Sequence, residues 1–186
     1  MFPVDFVVIL AQNLVFQKMI GLPGITAAGS RGKGLLRLGI LTLFFCTVCA
    51  GLTAYLRPLI PAPAQKYVLP LSTAVMAAIL DLLLVLVTKL TPGIREKLLP
   101  LLHNAAFSGT LLGAVLLSAE YTHDPAVAWR CGLQTGIGFL ASCIMLKAAA
   151  PFCYSRKMPE AIRGRRGMFL YAALLSMAAA CLFPAA

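Results

Sequence analysis

Charged side chains are scarce in this sequence. Only 12% of the 186 residues are charged, and just 6 residues are acidic. A soluble domain carries about 25% charged residues to keep its surface in water, so this composition excludes a soluble enzyme, a disordered chain and a free nucleic-acid binder. Hydrophobic residues make up 60% of the chain and the mean hydropathy is +0.89, which indicates a polytopic membrane protein.

The sequence also lacks the motifs of a self-sufficient enzyme. It contains two histidines, His103 and His123, and has no HExxH motif, nucleotide-binding loop or nucleophile elbow. The N-terminus has no basic region, so we expect the first apolar segment to be retained as a span and not cleaved as a signal peptide.

Six apolar segments predict six transmembrane helices. A spanning helix takes about 20 residues, and no segment shows the sustained alternation of a β-barrel strand. The segments cover residues 4–28, 35–56, 68–87, 94–119, 126–150 and 168–186. We therefore predict an all-α membrane protein with a single membrane domain.

The lysines and arginines predict the orientation of the chain in the membrane. Thirteen of the 16 lie in or next to the connections that follow spans one, three and five, and three lie between the other spans. Because basic residues concentrate on the cytoplasmic side, we expect those three connections to be cytoplasmic and both termini to be extracytoplasmic.

Spans one and four predict an inverted repeat of three plus three helices. Residues 12–16 and 103–107 share one pattern, in which a polar residue and Asn precede two small or apolar residues and Phe. Both spans contain helix-breaking residues, and paired broken helices point to a site near the membrane midplane. The repeats would cover about residues 1–90 and 91–186. Asn13 and Asn104 suit either turns that face a shared cavity or simple hydrogen bonds between helices.

Asp81 places a charge near the centre of span three. An isolated charge there costs about 3 kcal/mol on insertion scales, so we expect Asp81 to face other helices. Lys18 in span one lies at a similar depth and is a candidate partner. The alternative is that Lys18 extends to the cytoplasmic surface and Asp81 is protonated.

Cys46 and Cys49 form a CxxC motif in span two. Residues three apart share one face of a helix, and Cys143 lies on span five, the repeat partner of span two. Together they suggest a metal or iron–sulfur site, but packing thiols are the commoner explanation in membrane helices.

Four motifs along nearly the whole chain resemble the RnfA/NqrE family, the integral subunits of Rnf and Na⁺-translocating NADH:quinone reductase complexes. The motifs are an Asn-led apolar run ending in Gly-Leu, a Leu-Pro-Leu, a glycine-rich fifth span and a Pro-x-x-x-Arg-Gly entry to span six. They lie at residues 13–22, 99–101, 132–139 and 159–164. The resemblance implies a role in membrane electron transport coupled to ion movement, and the orientation with the N-terminus outside favours this branch over its sister, RnfE/NqrD.

The resemblance also implies a cofactor whose ligands this chain lacks. In the family, one Cys in each broken turn helps to ligate a 2Fe–2S cluster shared with the sister subunit. Those positions hold Pro23 and Ala105 here, framed by Asn13, Gly21, Leu22, His103 and Asn104. Neither Pro nor Ala can ligate iron, so we predict that this chain alone binds no cofactor.

We therefore expect a multi-pass subunit of an Rnf/Nqr-like complex in the bacterial cytoplasmic (inner) membrane. Its partners would be the other subunits of the complex, among them the sister RnfE/NqrD-like subunit, with no nucleic acid involved. The chain would at most be a non-catalytic subunit of a membrane oxidoreductase. Alternatives are a cluster-less paralogue that transports a small solute or ion, with Asp81 and Lys18 in the path, or a structural or assembly subunit.

Overall fold

The computed structural model describes residues 32–61, 64–89, 92–121, 124–155, 158–160 and 162–182. Within these ranges every regular element is helical, which confirms the all-α prediction. The α-helices of the described ranges are α1 (Gly32–Leu56), α2 (Gln65–Lys89), α3 (Pro92–Ala106), α4 (Gly109–Tyr121), α5 (Pro125–Cys153) and α6 (Arg165–Leu182). A 3-10 turn over Arg57–Leu59 follows α1.

Four segments of the described residues are long and apolar enough to cross a membrane. They are Gly34–Leu59, Tyr67–Thr88, Leu98–Ala119 and Pro125–Cys153, and they coincide with predicted spans two to five. The chain is thus a polytopic membrane protein. Predicted span one lies outside the described residues, and predicted span six is the helix α6, which is not among the four. The count of six spans and the inverted repeat remain predictions.

Helices α1 and α5 form the most closely packed pair, and glycines allow the close approach. A Cβ atom added at Gly132 would lie 2.6 Å from the carbonyl oxygen of Cys46, and one at Gly136 would lie 2.8 Å from Cα of Leu43. Small residues at such positions let two helix backbones approach each other closely in a membrane. The glycine motif of the fifth span therefore packs against a helix of the same chain.

Helix α2 buries only one narrow stripe of side chains. Leu69, Thr73, Ala77 and Asp81 recur every four residues and are all buried. Side chains four apart lie on one face of a helix, and this face turns towards α3 and α4. Most other large side chains of α2 are exposed, as expected for a surface that faces lipid or another subunit. The stripe explains why Asp81, as predicted, does not face lipid.

Candidate functional site

The predicted interruption of span four lies between α3 and α4. Phe107 and Ser108 connect the two helices. The Ser108 N–H donates to the Ala105 carbonyl at 3.4 Å, and the Leu111 N–H donates to the Ser108 carbonyl at 3.1 Å as the next helix begins. Ser and Gly are weaker helix formers than Ala, and here Ser108 and Gly109 follow each other. The helix ladder therefore ends and restarts within one turn.

The sequence predicted this break too early, near Pro100 and His103-Asn104. Pro100 lies inside α3, and residues 103–105 form its last turn. An interior proline removes one backbone hydrogen bond but is tolerated in membrane helices, where neighbouring groups compensate. Pro70 in α2 likewise does not end its helix. Asn104 is exposed on α3 and is not part of the turn.

Asp81 and His103 form an ion pair beside this break. His103 Nδ1 lies 2.6 Å from Asp81 Oδ2. When the carboxylate is ionised it can only accept, so Nδ1 carries the shared hydrogen. The Asp81 side chain is 8% exposed and that of His103 is 51% exposed. The pair thus joins a buried carboxylate of α2 to a histidine that remains accessible from outside the bundle.

Three buried oxygen atoms near the break have no hydrogen-bond partner among the described residues. They are Oδ1 of Asp81, Oγ of Ser108 and Oγ1 of Thr110. In a membrane such atoms are costly, because no bulk water is available to satisfy them. Orphaned polar atoms in a native fold call for a specific explanation, and a bound ion or water is one of them.

The break itself explains why Thr110 lacks a partner. Buried hydroxyls elsewhere donate to a carbonyl in the preceding turn of their own helix, as Thr42 does to Leu38 at 2.9 Å and Thr53 does to Cys49 at 2.6 Å. Thr110 is the second residue of α4, so no turn of α4 precedes it. The interruption therefore creates a polar spot inside an otherwise apolar core.

The cysteines are placed as packing residues in the part of the chain that the structure describes. Cys46, Cys49 and Cys143 are fully buried within the apolar core. No group of three or more His, Cys, Asp or Glu residues suited to a metal ion occurs among the described residues. The metal interpretation of the CxxC motif therefore gains no support from this arrangement.

The chain matches, over residues 3–184, the family described as Rnf-Nqr subunit, membrane protein. This chain belongs to the Rnf-Nqr family. Two Rnf-Nqr relatives, from Cereibacter sphaeroides (strain ATCC 17029 / ATH 2.4.9) and Actinobacillus pleuropneumoniae serotype 5b (strain L20), are each named as the first-lettered subunit of an ion-translocating oxidoreductase complex. Each is 26% identical to the chain, over 171 and 172 residues respectively, and each alignment covers 91% of the chain and 89% of the relative.

The second broken turn does not fit the 2Fe–2S cluster that the Rnf-Nqr resemblance implies. Ala105 is fully buried in the last turn of α3 and offers only a methyl group. The nearest nitrogen ligand in sequence is His103, whose Nδ1 contacts Asp81. Clusters are held by thiolates, with histidine only as a partial replacement. The cluster position of the first turn, Pro23, lies outside the described residues, as do Asn13, Lys18, Gly21 and Leu22.

The pairing of Asp81 with His103 was missed from the sequence. Lys18 was the partner considered there, and His103 was assigned only to the cluster turn. The usable signal was the four-residue spacing of Leu69, Thr73, Ala77 and Asp81, since it places the carboxylate on the one stripe of span three that packs inwards.

Proposed function

We propose that this chain is an integral membrane subunit of an ion-translocating electron-transport complex of the Rnf/Nqr type. The observation that carries the proposal is the family match over residues 3–184, which covers both predicted repeats. The relatives named as subunits of an ion-translocating oxidoreductase complex support it. Substrate oxidation and flavin chemistry would then belong to other subunits.

The proposed setting is the bacterial cytoplasmic membrane, beside a sister subunit of the RnfE/NqrD type. The uneven distribution of lysine and arginine supports cytoplasmic connections after spans one, three and five. Both termini would then be extracytoplasmic. The exposed face of α2, with side chains such as Leu71, Leu82 and Leu86, offers an apolar surface for lipid or for such a subunit.

Within this complex, we propose that the chain contributes no ligand to an iron–sulfur cluster. Pro23 and Ala105 replace the two family cysteines, and Ala105 is enclosed by apolar neighbours of the core. Cys46 and Cys49 lie on α1, where their thiols are buried. Electron transfer through this complex would therefore need ligands from other subunits.

Purification of the complex in mild detergent under anaerobic conditions tests both parts of the proposal. Identification of the co-purifying proteins should reveal a sister membrane subunit. Electron paramagnetic resonance should show no 2Fe–2S signal that depends on this chain, so Cys46→Ala and Cys49→Ala should leave the iron content unchanged. Loss of a cluster signal in either variant would overturn the cluster-free assignment, and absence of any partner would overturn the assignment to a complex.

A second candidate function, ion passage through this chain itself, is favoured by the polar spot at the break. Asp81 Oδ1 and the hydroxyls of Ser108 and Thr110 are buried oxygens without partners among the described residues, and hard cations prefer oxygen ligands. The neighbouring His103 ring is half exposed. These groups would form part of a path for a small cation or proton between the two halves.

Reconstitution of the chain alone into liposomes distinguishes this candidate from the first. Ion uptake that falls in Asp81→Asn, but not in a control variant such as Leu133→Ala on the exposed side of α5, would support transport by the chain. Wild-type liposomes that take up no more Na⁺ or protons than empty liposomes would exclude it.

A further inference from the structure

An open apolar groove lies between the end of α5 and helix α6, away from the break in span four. Its volume is about 420 Å³, and Ala148, Phe152, Ile162, Leu170 and Leu174 are among the residues that line it. This volume falls within the range of about 300–1,000 Å³ that is usual for sites of small molecules. Phe152, Leu170 and Leu174 are all more than half exposed, so the chain itself does not cover the groove.

The connection between α5 and α6 gives the groove its closed end. The Gly164 N–H donates to the Cys153 carbonyl at 2.9 Å, which ties the connection to the end of α5. Gly164 has a φ of +86°, a conformation that other residues rarely adopt. A Cβ atom at Gly167 would lie 2.6 Å from the Ile162 carbonyl oxygen. Both glycines therefore hold the connection against the start of α6.

The closed end carries a strong excess of positive charge. Arg163 and Arg165 are exposed and flank Gly164, and Lys147 precedes the groove residue Ala148. From Lys147 to the C-terminus the sequence holds six basic residues and a single acidic one, Glu160. A long basic side chain at the end of a membrane helix extends to the interface, where its charge meets lipid head groups.

We propose that this groove binds an anionic phospholipid, with an acyl chain against α5 and α6 and the phosphate beside Arg163 and Arg165. Basic pockets between transmembrane helices on the cytoplasmic side are known to bind anionic head groups, and an apolar groove that ends in arginines combines both parts of such a lipid. A zwitterionic lipid fills the groove equally well but gains less from the positive rim. The site depends on the chain's being embedded in a membrane and not on electron transport.

Native mass spectrometry of the purified chain or complex tests the proposal. The protein is exchanged into micelles that contain either dioleoyl-phosphatidylglycerol or dioleoyl-phosphatidylcholine, and the retained lipids are counted. We expect the wild type to retain phosphatidylglycerol preferentially. Each of Arg163→Gln and Arg165→Gln should lower that retention about 5-fold, which corresponds to about 1 kcal/mol per basic residue. Retention of phosphatidylcholine should not change.

Matched variants separate the rim from the groove. Arg130→Gln removes an exposed arginine at the other end of α5 and should leave retention unchanged. Ala148→Trp fills the groove and should reduce retention of both lipids, whereas Ala126→Trp, at a position outside the groove, should not. If Arg163→Gln or Arg165→Gln does not fold, the Lys variants keep the charge and should bind like the wild type.

Three results would overturn the proposal. The first is equal retention of the two lipids by the wild type. The second is retention that does not respond to Arg163→Gln, Arg165→Gln or Ala148→Trp. The third is a cysteine cross-link from Leu174→Cys to another subunit in a complex that carries no lipid, because the groove would then be a contact between proteins.

Discussion

His103 Nδ1 lies 2.6 Å from Oδ2 of Asp81 and joins α3 to α2 one turn before span four is interrupted. The two side chains differ sharply in their surroundings, since the carboxylate is buried and the imidazole is half exposed. Loss of one partner should therefore not have the same effect as loss of the other.

We predict that His103→Ala destabilises the protein more than Asp81→Asn. The His103 substitution leaves a buried carboxylate unpaired and should cost about 1–3 kcal/mol. The Asp81 substitution removes the buried charge and leaves an imidazole that can find other partners, so its cost should stay below about 1 kcal/mol. The free energy of unfolding in mixed micelles measures both effects.

The double variant provides the control for this asymmetry. Asp81→Asn combined with His103→Ala should be more stable than His103→Ala alone, because the unpaired charge is gone. Equal costs for the two single variants, with a double variant equal to their sum, would show that the two residues do not interact.

A second prediction compares two buried threonines. Thr110→Val removes a hydroxyl that has no partner among the described residues, so the stability should be unchanged or should rise. Thr42→Val removes a hydroxyl that donates to the Leu38 carbonyl at 2.9 Å and should cost about 0.5–1.5 kcal/mol. Thermal unfolding of the two variants in the same detergent gives the comparison. A loss for Thr110→Val as large as that for Thr42→Val would show that Thr110 has a partner.

Much of the helical architecture could be predicted from the sequence. Residues 35–56 and 126–150 were predicted as spans, and the helices are Gly32–Leu56 and Pro125–Cys153. These boundaries are local properties, because a long apolar run ends where polar residues, proline or glycine begin. The glycines of the fifth span likewise predicted close packing, although only the structure shows that the partner is α1.

The candidate site was less predictable because it depends on contacts between helices. The contact of Asp81 with His103 joins residues 22 positions apart, and no local pattern connects the two. The break was placed at Pro100 because proline is the strongest local breaker, but packing of α3 keeps Pro100 helical. The interruption at Phe107 and Ser108 follows from weaker signals, which only the fold makes decisive.

A third prediction concerns the packing of α1 against α5. Gly132→Ala should destabilise the protein by about 1–3 kcal/mol, as overpacking of a close contact does. The added Cβ would meet the Cys46 carbonyl oxygen at 2.6 Å, and backbone atoms cannot rotate out of the way. Gly109→Ala is the control, since Gly109 is exposed at the start of α4 and should lose nothing. Equal stability of the two variants in detergent would contradict the close approach of α1 and α5.

The last prediction concerns the two ends of α5. This helix has 29 residues and is about 43 Å long at about 1.5 Å per residue, which exceeds a hydrocarbon core of about 30 Å. Arg130 near its start and Arg163 beyond its end are both exposed, so they should lie on opposite sides of the membrane. The positive-inside rule places Arg163 in the cytoplasm. A membrane-impermeant maleimide should therefore label Arg130→Cys from outside intact cells whose outer membrane has been made permeable.

The parent for this experiment is Cys181→Ser, because Cys181 is exposed whereas Cys46, Cys143 and Cys153 are buried. Arg163→Cys should react only after the inner membrane is opened, or in inverted vesicles. The reverse pattern, with Arg163→Cys labelled from outside and Arg130→Cys protected, would invert the orientation of the whole chain. Labelling of both positions from the same side would show that α5 does not cross the membrane, because 29 helical residues cannot cross a bilayer and return.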